Sequence, residues 1–181
     1  KVERTNKRVL TNGEVSIQEA LILLLGILLL AGSLLFSLNF FAVQIAFVAL
    51  AVTVLYPFFK RFFPMPQAIL GIAFGLGILM VYADTVEIIH PIAWVMFTAN
   101  FFWALAYDTT YAMSDKEDDI KLGLKSSAIT LGKYDIYAIS IFQSLFLILM
   151  ISPINLMSFG FIYGLSWLLA ATYSFYLYKN L

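Results

Sequence analysis

Residues 18–58 read QEALILLLGILLLAGSLLFSL, then N, then FFAVQIAFVALAVTVLYPF. Two apolar runs, 18–38 and 40–58, are separated by the single polar residue Asn39. Each has the roughly 20 residues that a helix needs to cross the hydrocarbon core of a bilayer. Neither alternates polar and apolar residues with the period of a strand. Four further runs of this kind lie at 67–83, 91–112, 134–152 and 158–178. The separators carry charge or helix breakers: Lys60 to Pro66, Asp84 to Pro91, Met113 to Lys133, and Pro153-Ile154-Asn155. The fold class read from this pattern is all-α: a polytopic transmembrane helical bundle with six spans, forming a single domain over 1–181. With only Asn39 between them, the first two spans are expected to form a tight antiparallel hairpin.

Composition agrees. Of 181 residues, 62% are hydrophobic and 12% charged, about half the ~25% charged fraction of a soluble domain. A mean hydropathy of +0.91 leaves too little polar surface to cover a water-exposed globule, so the lipid bilayer is the expected solvent. Net charge is zero, which gives no reason to expect nucleic acid as a partner. The absence of cysteine excludes disulfides, thiolate metal sites and cysteine nucleophiles. His90 is the only histidine, so no His-based metal cluster is available, and it is read as structural. The chain opens on Lys1-Val2-Glu3-Arg4 with no initiator Met and no visible signal peptide. Its start is therefore expected to be processed, trimmed or incomplete.

Charge placement gives an orientation. Number the polar segments from the N-terminus. The first holds Lys1, Arg4, Lys7 and Arg8, the third Lys60 and Arg61, the fifth Lys116, Lys121, Lys125 and Lys133, and the last Lys179. These are all the Lys and Arg of the chain, and the even-numbered segments hold none. Six spans place every odd segment on one side, which the positive-inside rule makes cytoplasmic or matrix-facing.

The chemistry concentrates in Tyr107-Asp108-Thr109-Thr110-Tyr111-Ala112-Met113-Ser114-Asp115-Lys116-Glu117-Asp118-Asp119, at the basic end of the fourth span. If the helix runs on through this stretch at about 100° per residue, Asp115 and Asp119 fall about 20° to either side of Asp108. Tyr111 lies beside them and Glu117 points away. A solvated acidic helix end is the ordinary reading of Glu117 and Asp118. Asp108 lies close to membrane depth, where an ionisable group is expensive and usually functional. Stacked carboxylates repel one another, and a divalent cation relieves the repulsion. Oxygen-only ligands suit Mg²⁺, which uses one or two carboxylates together with substrate phosphates. The cluster thus reads as half of a diphosphate site. A calcium loop over Asp115, Glu117 and Asp119 fails, because its sixth position would be Ile120 instead of Gly and its twelfth Ser126 instead of Glu. Most of the basic residues read as ordinary interfacial anchors. Arg61 stands out, because a guanidinium grips a carboxylate or phosphate in two places.

These residues resemble the UbiA-type prenyltransferase superfamily, and within it the 4-hydroxybenzoate branch. Arg4-Thr5 with Arg8, Leu10 and Gly13 is similar to the family's R-T-x-x-R-P-L-x-x-G, with Val9 in place of the proline. Tyr56-Pro57-Phe58-Phe59-Lys60-Arg61 resembles Y-P-x-x-K-R. Pro66-Gln67, Leu70-Gly71 and Phe74-Gly75 resemble P-Q-x-x-L-G-x-x-F-G. Tyr107 to Asp119, followed by Lys121, Gly123, Lys125 and Ser126, resembles the second aspartate motif. The family's first aspartate motif, N-D-x-x-D-x-x-x-D, is not in the chain. By the family's layout it would precede Lys1, with two more helices before and one after the residues given. The chain is expected to be part of a nine-helix fold, incomplete at the N-terminus and also at the C-terminus.

The resemblance implies transfer of a polyprenyl group from its diphosphate to a small aromatic acid, 4-hydroxybenzoate, in ubiquinone synthesis. It assigns Asp115 and Asp119 to Mg²⁺ and Asp108 and Tyr111 to the adjoining catalytic face. It places Arg61, Lys60, Lys121, Lys125 and Arg4 on the substrates, with Arg61 on the acceptor's carboxylate. Aromatic faces at Phe101, Phe102, Trp103 and Tyr107 can stabilise an allylic cation, although ordinary packing also explains them. Gly71, Gly75 and Gly77 are read as close-contact positions between helices. Asn100, Gln44 and Gln143 are read as bonding across helices, and Trp94 and Trp103 as interface anchors. The resemblance implies an inner membrane, bacterial or mitochondrial. Homogentisate, naphthoate, haem and chlorophyll precursors are alternative acceptors. A transporter would spread its charges near the midplane of several helices. A CDP-alcohol phosphotransferase would carry D-G-x-x-A-R before its aspartates.

The charge pattern sets a topology test. Single cysteines replacing Lys60 and Lys121 should react with an impermeant maleimide from one side of the membrane, and a cysteine replacing Glu87 from the other. Labelling of positions 60 and 121 from opposite faces rejects the arrangement.

Overall fold

The computed structural model describes residues 8–153 and 160–179. Among these the secondary structure is helical throughout: α1 (Val9–Asn12), α2 (Ile17–Leu34), α3 (Phe40–Phe59), α4 (Pro66–Val86), α5 (Pro91–Ser114), α6 (Lys116–Lys121), α7 (Ser127–Leu131), α8 (Asp135–Leu149) and α9 (Phe161–Lys179). Short 3₁₀ turns at Leu35–Ser37 and Gly132–Tyr134 follow α2 and precede α8. A chain this apolar has little choice, because a helix satisfies its backbone polar groups within one segment.

Local signals set the helix starts. Ser16 and Glu19 form a capping box: Ser16 Oγ accepts from the Glu19 N–H at 3.2 Å and Glu19 Oε2 accepts from the Ser16 N–H at 2.8 Å. Asn39 caps α3 by accepting from the Ala42 N–H at 2.8 Å. Pro66 and Pro91 open α4 and α5, where the missing N–H costs nothing.

Among the described residues, three stretches are long and apolar enough to cross a membrane: Ile17–Ser37, Phe40–Phe59 and Pro66–Val86. Helices also stand at the other three expected positions, as α5, α8 and α9. The 134–152 run yields a shorter helix than expected, because a 3₁₀ turn opens it and α8 ends at Leu149. Its 15 residues span about 22 Å, short of a hydrocarbon core of about 30 Å.

The bundle is a chain of neighbours: α3 on α4, α4 on α5, and α5 on α8. The expected hairpin of the first two spans is not a packed pair. α2 buries none of its residues and joins none of these principal contacts. Asn39 explains the difference. Its backbone N–H donates to Asp84 Oδ1 at 2.8 Å and its amide to the Ala83 carbonyl at 2.6 Å. The connection is therefore fastened to the end of α4 and does not fold α3 back on α2.

Glycines set the α4–α5 spacing. A Cβ on Gly75 would lie 2.6 Å from Phe97 Cδ2, and one on Gly71 would lie 3.0 Å from Phe101 Cδ2 and 3.2 Å from its carbonyl oxygen. Gly77 meets nothing within 4 Å, so only two of the three expected glycines serve that contact. Gly75→Ala should destabilise the protein by about 1–3 kcal/mol through overpacking, whereas Gly77→Ala should be neutral or slightly stabilising. Thermal unfolding in detergent measures both, and equal effects refute the assignment.

Candidate active site

The acidic stretch is not one helix. α5 ends at Ser114, Asp115 takes φ −97° and ψ 0°, and α6 restarts at Lys116. The continuous helical face expected from Asp108 through Asp119 is therefore broken at Asp115. The carboxylates still converge: Asp108, Tyr111, Ala112, Asp115 and Asp119 line one polar pocket of about 100 Å³, with Lys60 from the end of α3 and Gln67 from the start of α4. Asp119 is buried, at 4% exposure. Glu117 is exposed and outside the pocket lining, where the sequence places it.

The pocket rests on buried hydrogen bonds. Gln67, 1% exposed, accepts from the Ser127 N–H through Oε1 at 2.9 Å. Ser127 Oγ and Thr109 Oγ1 share a 2.8 Å bond, and Thr109 and Ser127 are both fully buried. The starts of α4 and α7 are thereby tied to α5. Ser126 caps α7 by accepting from the Ile129 N–H at 3.3 Å. After α6 the chain turns through Gly123 at φ 67°, a left-handed conformation that glycine adopts freely. The Lys125 N–H then donates to the Lys60 carbonyl at 2.6 Å. Lys116 joins α6 to the start of α8: Nζ lies 3.3 Å from Asp135 Oδ2 and donates to the Gly132 carbonyl at 3.1 Å.

Of the basic residues singled out in the sequence, Lys60 alone among the described ones lines the pocket. Arg61 is exposed and stacks over the Phe58 ring at 5.8 Å. Lys121 is exposed and pairs with Asp118 at 3.7 Å, and the Lys125 side chain is exposed. Arg4 lies outside the described residues. Gln67, Thr109 and Ser127 carry no charge and show no periodic signal. For Gln67 the available clue is its place in the Pro66-Gln67 motif. Tyr56, in electrostatic range of Asp108 and Asp119, is similarly visible only within Y-P-x-x-K-R.

The aromatic residues divide into two groups. Phe101 fills the Gly71 contact and Phe102 stacks on Phe142 of α8 at 6.2 Å, so both serve helix packing. Trp103, Tyr107 and Tyr111 form a ladder on α5, with ring centroids 5.3 Å and 5.0 Å apart. Its upper end lines the acidic pocket, and Trp103 at its lower end lines an apolar cavity of about 310 Å³ with Ile78, Met96, Asn100, Phe146 and Met150. Asn100 Nδ2 is buried without a hydrogen-bond partner, so the expected cross-helix bond is not made there. Gln143 does approach Ser174 Oγ of α9, at 3.5 Å.

The sequence profile of the UbiA prenyltransferase family matches residues 1–181. The chain belongs to that family. Its apolar helices and this membership make it an integral membrane protein. A 4-hydroxybenzoate octaprenyltransferase of Polynucleobacter necessarius subsp. necessarius (strain STIR1) is 51% identical over 140 residues, covering 77% of this chain and 49% of that protein. Proteins of the same name are 46% identical over 166 residues in Cupriavidus necator (92% of this chain, 56% of the relative) and 45% identical over 177 residues in Cupriavidus pinatubonensis (98% and 62%). The chain thus spans about half to three fifths of the length of these curated relatives. No solved structure matches.

Lys116 and Asp135 provide a test of how α6 is held. Lys116→Met leaves the nearly buried Asp135 without its cation and should lower stability by about 1–3 kcal/mol. Adding Asp135→Leu should restore part of the loss, as read from detergent melting curves. A purely additive double variant means that the pair is not coupled.

Proposed function

We propose that the chain belongs to a membrane enzyme that transfers a polyprenyl group from its diphosphate to 4-hydroxybenzoate. One observation carries the reading: a polar pocket of three aspartates and a lysine lies at one end of an aromatic ladder whose other end opens into an apolar cavity. A substrate that is anionic at one end and purely apolar along the rest fits that polarity. The names of the relatives point to the same substrate pair.

The pocket chemistry suits Mg²⁺. Its donors are hard carboxylate oxygens, and Asp115 and Asp119 are the residues that would hold the ion. Among the described residues no three acidic or histidine groups form a ready-made metal cage. Mg²⁺ takes one or two carboxylates and completes its shell with phosphate and water. When bound, Mg²⁺ supplies positive charge that offsets the departing diphosphate.

The residues of the chain divide the remaining work. Lys60 faces the diphosphate oxygens as a fixed positive charge. The allylic C–O bond breaks and its electron pair leaves with the diphosphate. The rings of Tyr107 and Tyr111 present negative faces to the resulting cation. The ring carbon ortho to the acceptor's hydroxyl forms the new C–C bond, and the ring proton passes to a carboxylate such as Asp108 or to water. Arg61, on the basic side, holds the acceptor's carboxylate through a paired hydrogen bond. The bundle sits in the membrane with this side facing the cytoplasm or matrix, in a bacterial or mitochondrial inner membrane.

In the full protein, Asp115→Ala and Asp119→Ala should abolish transfer without loss of fold, while Glu117→Ala should be mild. Arg61→Ala should raise the KM for 4-hydroxybenzoate about 10–100-fold with little effect on the diphosphate substrate. Steady-state kinetics with each substrate varied in turn decides. Equal loss in the Glu117 and Asp115 variants, or full activity in excess EDTA, removes the metal role.

A further inference from the structure

We propose that Gln67 is a substrate-binding residue whose side-chain amide donates to an anionic oxygen of a bound substrate. The inference rests on the transferase reading and adds to it a residue that carries no charge. Gln67 is almost fully buried, at 1% exposure, yet it lines the acidic pocket with Asp108, Asp115, Asp119, Lys60 and Tyr111. Long polar side chains are rarely buried so completely without specific partners.

Its orientation is fixed by chemistry. The Ser127 backbone N–H is a donor only, so the atom 2.9 Å from it must be the amide oxygen. The NH₂ group is then left to face the pocket. Ser127 cannot shift to accept a flipped amide, because its hydroxyl is held by Thr109 at 2.8 Å and it opens α7. The result is a rigid, neutral donor at the rim of a carboxylate cluster. Neutrality matters there. A lysine or arginine in that place would be drawn to the aspartates and would compete with a divalent cation. An amide can serve an anionic oxygen while leaving the carboxylates to the metal. Two oxygens qualify by this chemistry: one on the diphosphate and one on the aromatic acid.

Gln67→Glu separates binding from scaffolding. Glutamate keeps the length and the oxygen that accepts from Ser127, so a scaffolding role survives the change. It replaces the pocket-facing NH₂ by an anionic oxygen, so a binding role does not. The full protein in detergent is titrated with inorganic pyrophosphate plus Mg²⁺ and, separately, with 4-hydroxybenzoate. Q67E should lose about 10–100-fold in affinity for one probe and about 3-fold or less for the other, with an unchanged melting temperature. Selective loss of pyrophosphate assigns the amide to the diphosphate, and selective loss of 4-hydroxybenzoate assigns it to the acceptor. Unchanged affinities, or equal loss of both with a lower melting temperature, overturn the proposal. If Q67E does not fold, Q67M is titrated instead: it loses the bond from Ser127 as well as the NH₂, so selective loss for one probe supports the proposal, and equal losses or none overturn it. Transfer by the wild-type protein is assayed alongside with geranyl diphosphate. Its failure counts against the transferase reading, while the two titrations still decide the role of Gln67.

Discussion

Ser127 is the residue on which the polar pocket depends. It gives its backbone N–H to Gln67 and shares a hydrogen bond with Thr109, so three helices meet at one buried point. None of these groups reaches water, and leaving one unpaired would cost about 1–3 kcal/mol. The two bonds therefore stand or fall together. They hold the start of α4 and the start of α7 against α5, around the pocket lined by Asp108, Asp115 and Asp119. A cluster of like charges opposes its own assembly. Here neutral hydrogen bonds behind the cluster provide the restraint, and the charged groups face the pocket.

Close approach of α4 to α5 is the second requirement. Gly71 and Gly75 leave room for Phe101 and Phe97, which brings Gln67, one turn before Gly71, to the level of Asp108 and Ala112. In lipid there is little hydrophobic drive between helices, so such small-residue contacts carry much of the association. On the opposite face α5 packs against α8, and Lys116 fastens α6 to the start of that helix. The site is thus held from both sides of α5, and Trp103, Tyr107 and Tyr111 run between the polar pocket and the apolar cavity.

The broken helix at Asp115 brings the three carboxylates to one pocket by a route that a straight helix does not take. A straight helix would place Asp108, Asp115 and Asp119 on one face. The chain instead stops at Ser114 and restarts at Lys116, and α6 turns back so that Asp119 enters the pocket almost fully buried. Asp108 and Asp115 are near one another by helical repeat alone. Asp119 joins them through the turn at Gly123 and the Lys125–Lys60 backbone bond.

The amino-acid sequence by itself determined the class of solvent, the helical fold and, among the described residues, where the long helices lie apart from the shortened α8, because run length, breakers and capping residues such as Ser16, Asn39 and Pro66 act within a few residues. It also made the proximity of Asp108 and Asp115 legible, since their spacing is one of helical repeat. Tertiary structure alone decided that α2 stays apart from α3, because Asn39 finds its partners in Ala83 and Asp84, some 45 positions away. It alone decided which basic side chain lines the pocket. Lys60, Arg61, Lys121 and Lys125 are alike in a charge tally, and only Lys60 points into the pocket. Gln67 owes its place in the pocket to the same kind of cause: an uncharged side chain is held there by a backbone N–H 60 residues further along the chain, and no local charge or periodicity records that meeting.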